Sequence, residues 1–210
     1  PAPIFTIRKK ALLIFTLDDY VNQGIMTERQ KAAILEAVHT KQNILVTGGT
    51  GTGKTTLVNA VLNEIASTND RIVIIEDTLE LQCAAPDTVF LRAREGVATM
   101  NDLLRATMRL RPDRIVVGEV RGPEALSLLK AWNTGHPGGC ATVHANSARA
   151  GLTRLEQLIQ EAVIAVPKEL IAEAVNIVIH IERSGHGRKI REIVRVEGME
   201  AGKYLLTKID

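Results

Sequence analysis

Residues 48–55 read Gly48-Gly49-Thr50-Gly51-Thr52-Gly53-Lys54-Thr55 and match every fixed position of the phosphate-binding pattern G-x-x-x-x-G-K-[ST]. An apolar run, Ile44–Val46, precedes this loop, and a stretch compatible with a helix follows it. In that context, successive backbone N–H groups can curl around a phosphate at the positive end of the helix. The motif therefore predicts a strand–loop–helix unit that binds a nucleoside triphosphate.

Each position of the loop has an expected role. Lys54 should reach the β- and γ-phosphate oxygens, and the hydroxyl group of Thr55 should ligate Mg²⁺. The residues expected to contact the nucleotide are Gly48, Gly49, Thr50, Gly51, Thr52, Gly53, Lys54, Thr55 and Thr56.

Composition restricts the class of protein. With 210 residues and 45% hydrophobic content, the chain suits one α/β domain with a small appendage. Its net charge of +2 and aromatic content of 3% do not favour direct nucleic-acid binding. The sequence shows neither an apolar run of about eighteen residues nor the layout of a secretory signal, so we expect a cytoplasmic site of action.

Alternating patterns predict the core of the fold. From Asn43 onward, short β-branched runs alternate with helical segments, which is typical of parallel strands joined by crossover helices. Thr27 and Gln30 form a capping-box pair at the start of one helix. The predicted strands are Ile44–Thr47, Arg71–Glu76, Thr88–Leu91, Arg114–Gly118 and Gly139–Val143, and the predicted helices are Thr27–Val38, Lys54–Ala66, Asn101–Leu110 and Pro123–Trp132.

The two ends of the chain show different patterns. The N-terminal part, residues 1–40, contains an extended piece at Pro3–Lys9; because it begins with Pro1, we expect it to lead in from a missing N-terminal domain. Residues 41–160 would form the nucleotide-binding core, and residues 161–210 an appendage packed on it. The elements predicted beyond Val143 are helices Ala148–Gln160 and Lys168–Ala174, strands Ile177–Glu182, Lys189–Val196 and Lys203–Thr207, and turns Ser184–Gly187 and Glu197–Gly202.

Carboxylates end two of the predicted strands. Ile115–Val117 leads to Gly118 and Glu119, with Gly118 at the position where most strand-type Mg²⁺ motifs have Asp. Glu119 is accordingly the predicted acid on the metal side. Ile72–Ile75 leads into the acidic segment 76–80. There we favour Glu80 as general base and Glu76 or Asp77 as a metal-shell or loop-ordering group, although the choice of base between Glu76 and Glu80 stays open.

Histidines and arginines complete the candidate set. His136 and His144 flank the predicted strand Gly139–Val143, and His144 is the candidate sensor of a γ-phosphate, to which it could donate a hydrogen bond. His136 is open between a sensor and a structural role. A cluster of basic residues has two interpretations, a solvated helix face and a phosphate-binding group, between which the sequence does not decide: Arg105, Arg109, Arg111 and Arg114.

Four blocks in this order resemble the secretion ATPase superfamily of type II and type IV systems. They are the loop at 48–55, the acidic segment 76–80, the run 109–121 and the histidine segment 134–145. Gly118 in place of Asp fits that superfamily and argues against recombinases, transporters and kinases. Glu76-Asp77-Thr78, the segment 111–114 and Phe5–Lys9 are most similar to its type IV secretion and conjugation branch.

The resemblance implies a RecA-like P-loop NTPase with a mostly parallel central sheet flanked by helices. It further implies ATP and Mg²⁺ as cofactors, Arg111 as a contact to the γ-phosphate, and a homo-hexameric ring at the cytoplasmic face of the bacterial inner membrane. The expected partners are inner-membrane secretion-channel proteins and a coupling protein, with peripheral association to the membrane. Such a protein would hydrolyse ATP to power pilus assembly or substrate transfer.

Three alternatives to this function remain at the level of sequence. The first is a pilus retraction or type II secretion motor, whose acidic segment would read Glu-Asp-Pro. The second is a P-loop kinase or transferase, which would need a lid rich in arginines and an acceptor pocket. The third is a module that binds nucleotide without hydrolysing it and whose output is nucleotide-gated assembly.

Overall fold

The computed structural model describes residues 5, 14–185 and 187–209. The predicted extended segment Pro3–Lys9 lies outside these residues except for Phe5, and the predicted turn Ser184–Gly187 lies partly outside them. Within the described part, the strands are β1 Ile44–Thr47, β2 Ile72–Glu76, β3 Thr88–Arg92, β4 Arg114–Val117, β5 Cys140–Val143, β6 Ile177–Ser184, β7 Gly187–Glu200 and β8 Lys203–Lys208.

The helices connect these strands and cover the sheet. They are α1 Leu17–Asn22, α2 Glu28–His39, α3 Lys54–Ile65, α4 Met100–Thr107, α5 Glu124–Asn133, α6 Ala148–Gln160 and α7 Lys168–Ala174. Thr27 caps α2 through the predicted capping box with Gln30. The helix predicted to reach Leu110 ends at Thr107 and continues as a 3₁₀ turn, Met108–Leu110. None of the described helices is long and apolar enough to span a bilayer.

All eight strands belong to one sheet, in the order β3-β2-β4-β5-β1-β6-β7-β8. The pairings from β3 through β6 are parallel, whereas β7 and β8 are added antiparallel at one edge. The predicted mostly parallel sheet flanked by helices is confirmed. In such a sheet the carboxyl ends of the parallel strands share one edge, which is where ligands bind in open α/β folds.

The C-terminal segment enters the same sheet. β6 pairs in parallel with β1, and Ile44 is in register with Ile177, so the first strand beyond residue 160 extends the sheet of the core. The domain division at residue 160 stays a prediction. The turn predicted at Glu197–Gly202 is wrong in its first part, since β7 continues to Glu200 through a bulge between Val196 and Gly198.

Alternate residues of each central strand face opposite layers. In β1, Leu45 belongs to the apolar cluster formed with α4–α7, while Ile44 and Val46 belong to the cluster formed with α1–α3. The four residues of β1 are all buried, as expected for a parallel strand covered on both faces. This double covering fixes the strand ends that carry the polar side chains described next.

Candidate functional site

The carboxyl edge of the sheet holds a cleft of about 420 Å³ above the loop that follows β1. Neighbouring strands contribute at the same edge, because Glu76 ends β2, Glu119 follows β4 and His144 follows β5. Among the predicted site residues, those that line the cleft are Thr50, Gly51, Gly53, Lys54, Thr55, Thr56, Glu76, Asp77, Glu80, Glu119 and His144. The sequence segments predicted to act together therefore meet in space.

The glycines of the loop have conformations and contacts that a side chain would prevent. Gly53 precedes α3 with a φ of 98°, in the left-handed region. At Gly48, a Cβ would lie 2.4 Å from the main-chain oxygen of Ile181. Three residues of the loop are not among those that line the cleft: Gly48, Gly49 and Thr52. The Thr52 hydroxyl instead donates to the Gly49 carbonyl oxygen at 3.0 Å.

Lys54 is a buried cation held by neutral groups. Its Nζ donates to the carbonyl oxygens of Gly48 and Gly49 at 2.9 and 3.0 Å, and lies 3.3 Å from Nδ1 of His144. Only 7% of the residue is exposed. Burial lowers the pKa of the Lys54 ammonium group, while the negative charge of Glu119 opposes that shift. A cation in such surroundings is stabilised by an additional anion in the cleft.

Thr55 and Glu80 contact each other across the cleft. The Thr55 hydroxyl donates to Oε2 of Glu80 at 3.2 Å. Asn59, one helical turn further along α3, donates to the Glu80 carbonyl at 3.2 Å and accepts from the main-chain N–H of Gln82 at 2.8 Å. Asn59 therefore fixes the acidic segment against α3, the helix that begins with Lys54.

Glu76 orders the segment that carries Glu80. Its Oε1 accepts hydrogen bonds from the main-chain N–H groups of Glu80 and Leu81 at 3.0 and 2.9 Å. Burial raises the pKa of the Glu76 carboxyl group, against the effect of those two N–H groups. At Gly118, where most strand-type Mg²⁺ motifs have Asp, a Cβ would lie 3.0 Å from Cγ of Glu76. The glycine therefore leaves room for the Glu76 side chain.

Glu119 is the centre of a charged network. Its Oε2 accepts from Nε of Arg121 at 2.8 Å, and its Oε1 lies 2.6 Å from Nε2 of His144. Arg121 also pairs with Asp77. Burial and the Lys54 charge lower the pKa of His144, against the effect of the Glu119 charge, which favours a neutral ring with Nδ1 facing Lys54 and Nε2 facing Glu119.

The structure does not place Arg111 in this cleft. Arg111 precedes β4 and therefore lies at the amino edge of the sheet, opposite the loop that follows β1. It is exposed, with a φ of 52°. The expectation that Arg111 contacts the γ-phosphate is therefore not met within this subunit.

Two other candidates have structural roles. His136 is also at the amino edge, where its Nδ1 is 2.7 Å from the Pro112 carbonyl oxygen. Arg114 is 1% exposed and donates through Nε to Asp70 at 2.6 Å. Of the two interpretations of the arginine cluster, phosphate binding is excluded for Arg114, because its guanidinium is enclosed beneath the amino edge.

The oxygen ligands in the cleft suit Mg²⁺. Among the described residues, no cluster of His, Cys, Asp and Glu could hold a metal without further ligands. Mg²⁺ is usually bound by one or two protein oxygens together with phosphates and waters. The Thr55 hydroxyl and the Glu119 carboxylate, both lining the cleft, match that incomplete ligand set.

Sequence reasoning missed three contributors to the site. Arg121 ends the run 109–121 but has no predicted role of its own. Asn59 has no predicted role either, although an amide among the apolar residues of a helix is a signal that the sequence offers; in the structure it is buried. Arg188 also lines the cleft. Arg188 is on β7, which pairs with β6, and this hairpin reaches the loop because β6 lies next to β1 in the sheet. No local sequence pattern indicates that β1 and β6 are neighbours.

Comparison with known proteins gives one family match. The family model described as "Type II/IV secretion system protein" matches residues 5–199. The conjugal transfer protein TrbB of Rhizobium radiobacter is 53% identical over 204 residues, covering 96% of this chain and 63% of that protein. The chain thus spans about three fifths of that relative.

Two solved structures are similar over most of the chain. The VirB11 ATPase of the Brucella suis type IV secretion system, in complex with sulphate, has a TM-score of 0.72 and 29% identity, covering 90% of this chain and 65% of that one. The pilus retraction motor PilT with bound ADP has a TM-score of 0.63 and 25% identity, covering 96% and 54%.

Proposed function

This chain belongs to the type II/IV secretion system protein family, and we propose that it hydrolyses ATP as part of a motor subunit of a type IV secretion or conjugative transfer system. The motor would power pilus assembly or substrate transfer. The relatives that support this branch are a conjugal transfer protein and the ATPase of a type IV secretion system. The family match argues against the kinase or transferase alternative.

One observation carries the proposal. A complete phosphate-binding loop, the Thr55 hydroxyl and the carboxylates of Glu80 and Glu119 face a single cleft at the carboxyl edge of the sheet. Hydrolysis requires that triphosphate, metal and attacking water be positioned together. The sulphate bound to the VirB11 relative and the ADP bound to PilT are consistent with anion and nucleotide binding by this fold.

We assign the phosphate contacts to Lys54 and the amides of the loop. On binding, the Lys54 ammonium would exchange the carbonyl oxygens of Gly48 and Gly49 for phosphate oxygens. A preorganised cation in a partly dry cleft stabilises charge that develops on the transferring phosphoryl group. His144, which lies between Lys54 and Glu119, would report the state of that group to the rest of the network.

The three carboxylates have different roles in this proposal. Thr55 and Glu119 would hold Mg²⁺, directly or through water, and the ion when bound neutralises charge on the phosphates. Glu80 is the general base in our proposal because it is half-buried beside Thr55 and its segment is fixed by other residues. Glu76 is instead the loop-ordering group, since its Oε1 is engaged by two main-chain N–H groups.

Assembly and location follow from the family and are part of the proposal. We expect a homo-hexamer at the cytoplasmic face of the inner membrane, in contact with channel proteins and a coupling protein. A pilus retraction or type II secretion motor is the main alternative, and the similarity to PilT keeps it open. Phosphate release distinguishes both motors from a module that binds nucleotide without hydrolysing it.

Replacement of Lys54 by alanine tests hydrolysis. We expect release of inorganic phosphate from Mg-ATP to fall by about 10²-fold or more, because the substitution removes the positive charge that stabilises the transferring phosphoryl group. Lys130→Ala removes the same charge from an exposed position on α5 and serves as the control. An oligomeric Lys54→Ala protein with the parent rate would refute the proposed mechanism.

A further inference from the structure

Two arginines of the β6–β7 hairpin lie against the phosphate-binding loop. Arg183 donates through Nε to the Gly51 carbonyl oxygen at 3.3 Å, and a Cβ at Gly51 would lie 2.6 Å from its Nη2. Arg188 packs its side chain on Gly53, where a Cβ would lie 2.9 Å from its Cδ, and it lines the cleft. The hairpin thus forms a wall of the site on the side of the loop away from Glu119.

The two arginines are direct cross-strand partners in the antiparallel pair. Like charges at directly opposed positions destabilise a β-hairpin. Neither guanidinium forms an ion pair with a carboxylate elsewhere in the described part of the chain, unlike Arg191 of the same hairpin, which pairs with Glu182 at 3.7 Å. An anion between or beside the two side chains would relieve this repulsion.

We propose that Arg188 is a nucleotide-binding residue that contacts the diphosphate portion of the nucleotide, and that Arg183 is a positioning residue for the loop. Arginine suits this role because its planar guanidinium can bind two phosphate oxygens at once. Arg183 engages an outward-facing carbonyl of the loop and so holds the peptide that follows Gly51. This inference rests on the proposed nucleotide site and adds a cationic contact, in addition to Lys54, on the side of the loop away from Glu119.

The contact would be made equally to ADP and ATP, since both contain the diphosphate. It would then affect binding more than the chemical step, because an interaction present in both ground and transition states changes KM and not kcat. This separates Arg188 from Lys54, whose loss should lower kcat.

Titration of ADP into the full chain, followed by calorimetry, tests the inference. Arg188→Ala should weaken ADP binding about tenfold, the loss of one charge-assisted contact, and Arg188→Lys should recover part of that loss. In ATP turnover, Arg188→Ala should raise KM with kcat near the parent value. Arg183→Ala should also weaken ADP binding, whereas Arg183→Lys should recover most of that loss, because the loop contact needs only one N–H donor.

Arg191→Ala is the matched control, since it removes the same charge from the same hairpin at a position outside the cleft. Without nucleotide, the thermal midpoint of Arg188→Ala should equal or slightly exceed that of the parent, because a like-charge pair is removed. Parent-like ADP affinity in Arg188→Ala, with weakened binding in Lys54→Ala, would overturn the inference and leave the proposed function standing. A parent that binds no ADP would overturn both.

Discussion

Glu119→Gln should lower kcat for ATP hydrolysis by about 10²–10³-fold while ATP binding is retained. The substitution preserves the size of the side chain but removes a negative charge that lines the same cleft as Thr55 and that pairs with Arg121 and His144. In our proposal the triphosphate is held by the loop amides and by Lys54, and neither forms an ion pair with Glu119 among the contacts of the described residues. Single-turnover phosphate release, together with binding of a fluorescent ATP analogue, measures the two quantities separately.

Glu95→Gln makes the same chemical change at an exposed position outside the cleft and should leave both quantities unchanged. Parent-like turnover by Glu119→Gln would show that the carboxylate at the end of β4 takes no part in hydrolysis. Equal loss of binding and turnover would also contradict the assignment, since it would make Glu119 a contact to the nucleotide in its ground state.

Asp70→Ala should destabilise the fold by about 3 kcal/mol or more, without any direct effect on the cleft. Asp70 accepts from Nε of Arg114 at 2.6 Å and from Nζ of Lys41 at 2.8 Å. Because the Arg114 side chain is 1% exposed, loss of its partner leaves a buried charge uncompensated. Urea denaturation followed by circular dichroism measures the change in the free energy of unfolding.

Asp87→Ala is the control for this prediction. The ion pair of Asp87 with Arg71 spans 3.7 Å and is largely exposed, so its loss should cost no more than about 1 kcal/mol. Should Asp70→Ala fail to fold, Lys41→Ala removes the more exposed partner of Asp70 and should give a smaller loss. Equal stabilities of the Asp70 and Asp87 variants would contradict the structural role of the buried pair.

The same carboxylate predicts an acid dependence of stability. Burial alone would raise the pKa of Asp70, but hydrogen bonds from Lys41, Arg114 and Thr68 outweigh it and lower the pKa from 3.8 to about 2. A group with a depressed folded-state pKa stabilises the fold above its unfolded pKa and loses that contribution as the pH falls through the folded value. The parent should therefore lose stability between about pH 4 and pH 2, and Asp70→Ala should lose less over that range.

The strands, the helices and the position of the glycine-rich loop between β1 and α3 were predictable because their signals are local. The G-x-x-x-x-G-K-T pattern, the capping box at Thr27 and the alternation of β-branched and helical segments each depend on neighbours in sequence. The positions of Glu76, Glu119 and His144 in one cleft followed from a general property of parallel sheets, in which the carboxyl ends of strands share an edge.

The sequence was least informative where the position of a residue depends on strand order. The prediction for Arg111 came from the family resemblance alone, and within this subunit the residue precedes β4 and lies at the other edge of the sheet. Arg188 was missed for the complementary reason, since its strand belongs to a hairpin that reaches the loop only because β6 adjoins β1. Arg114 shows that a basic residue in a motif can be a buried structural cation.

A crystal structure with Mg²⁺ and a non-hydrolysable ATP analogue tests most directly whether this cleft is the nucleotide site. We predict that the triphosphate lies on the main-chain amides of residues 48–55, that Nζ of Lys54 contacts its phosphate oxygens, and that Mg²⁺ lies between Thr55 and Glu119. A nucleotide bound away from the loop, or a Glu119 carboxylate turned away from the metal, would contradict the account.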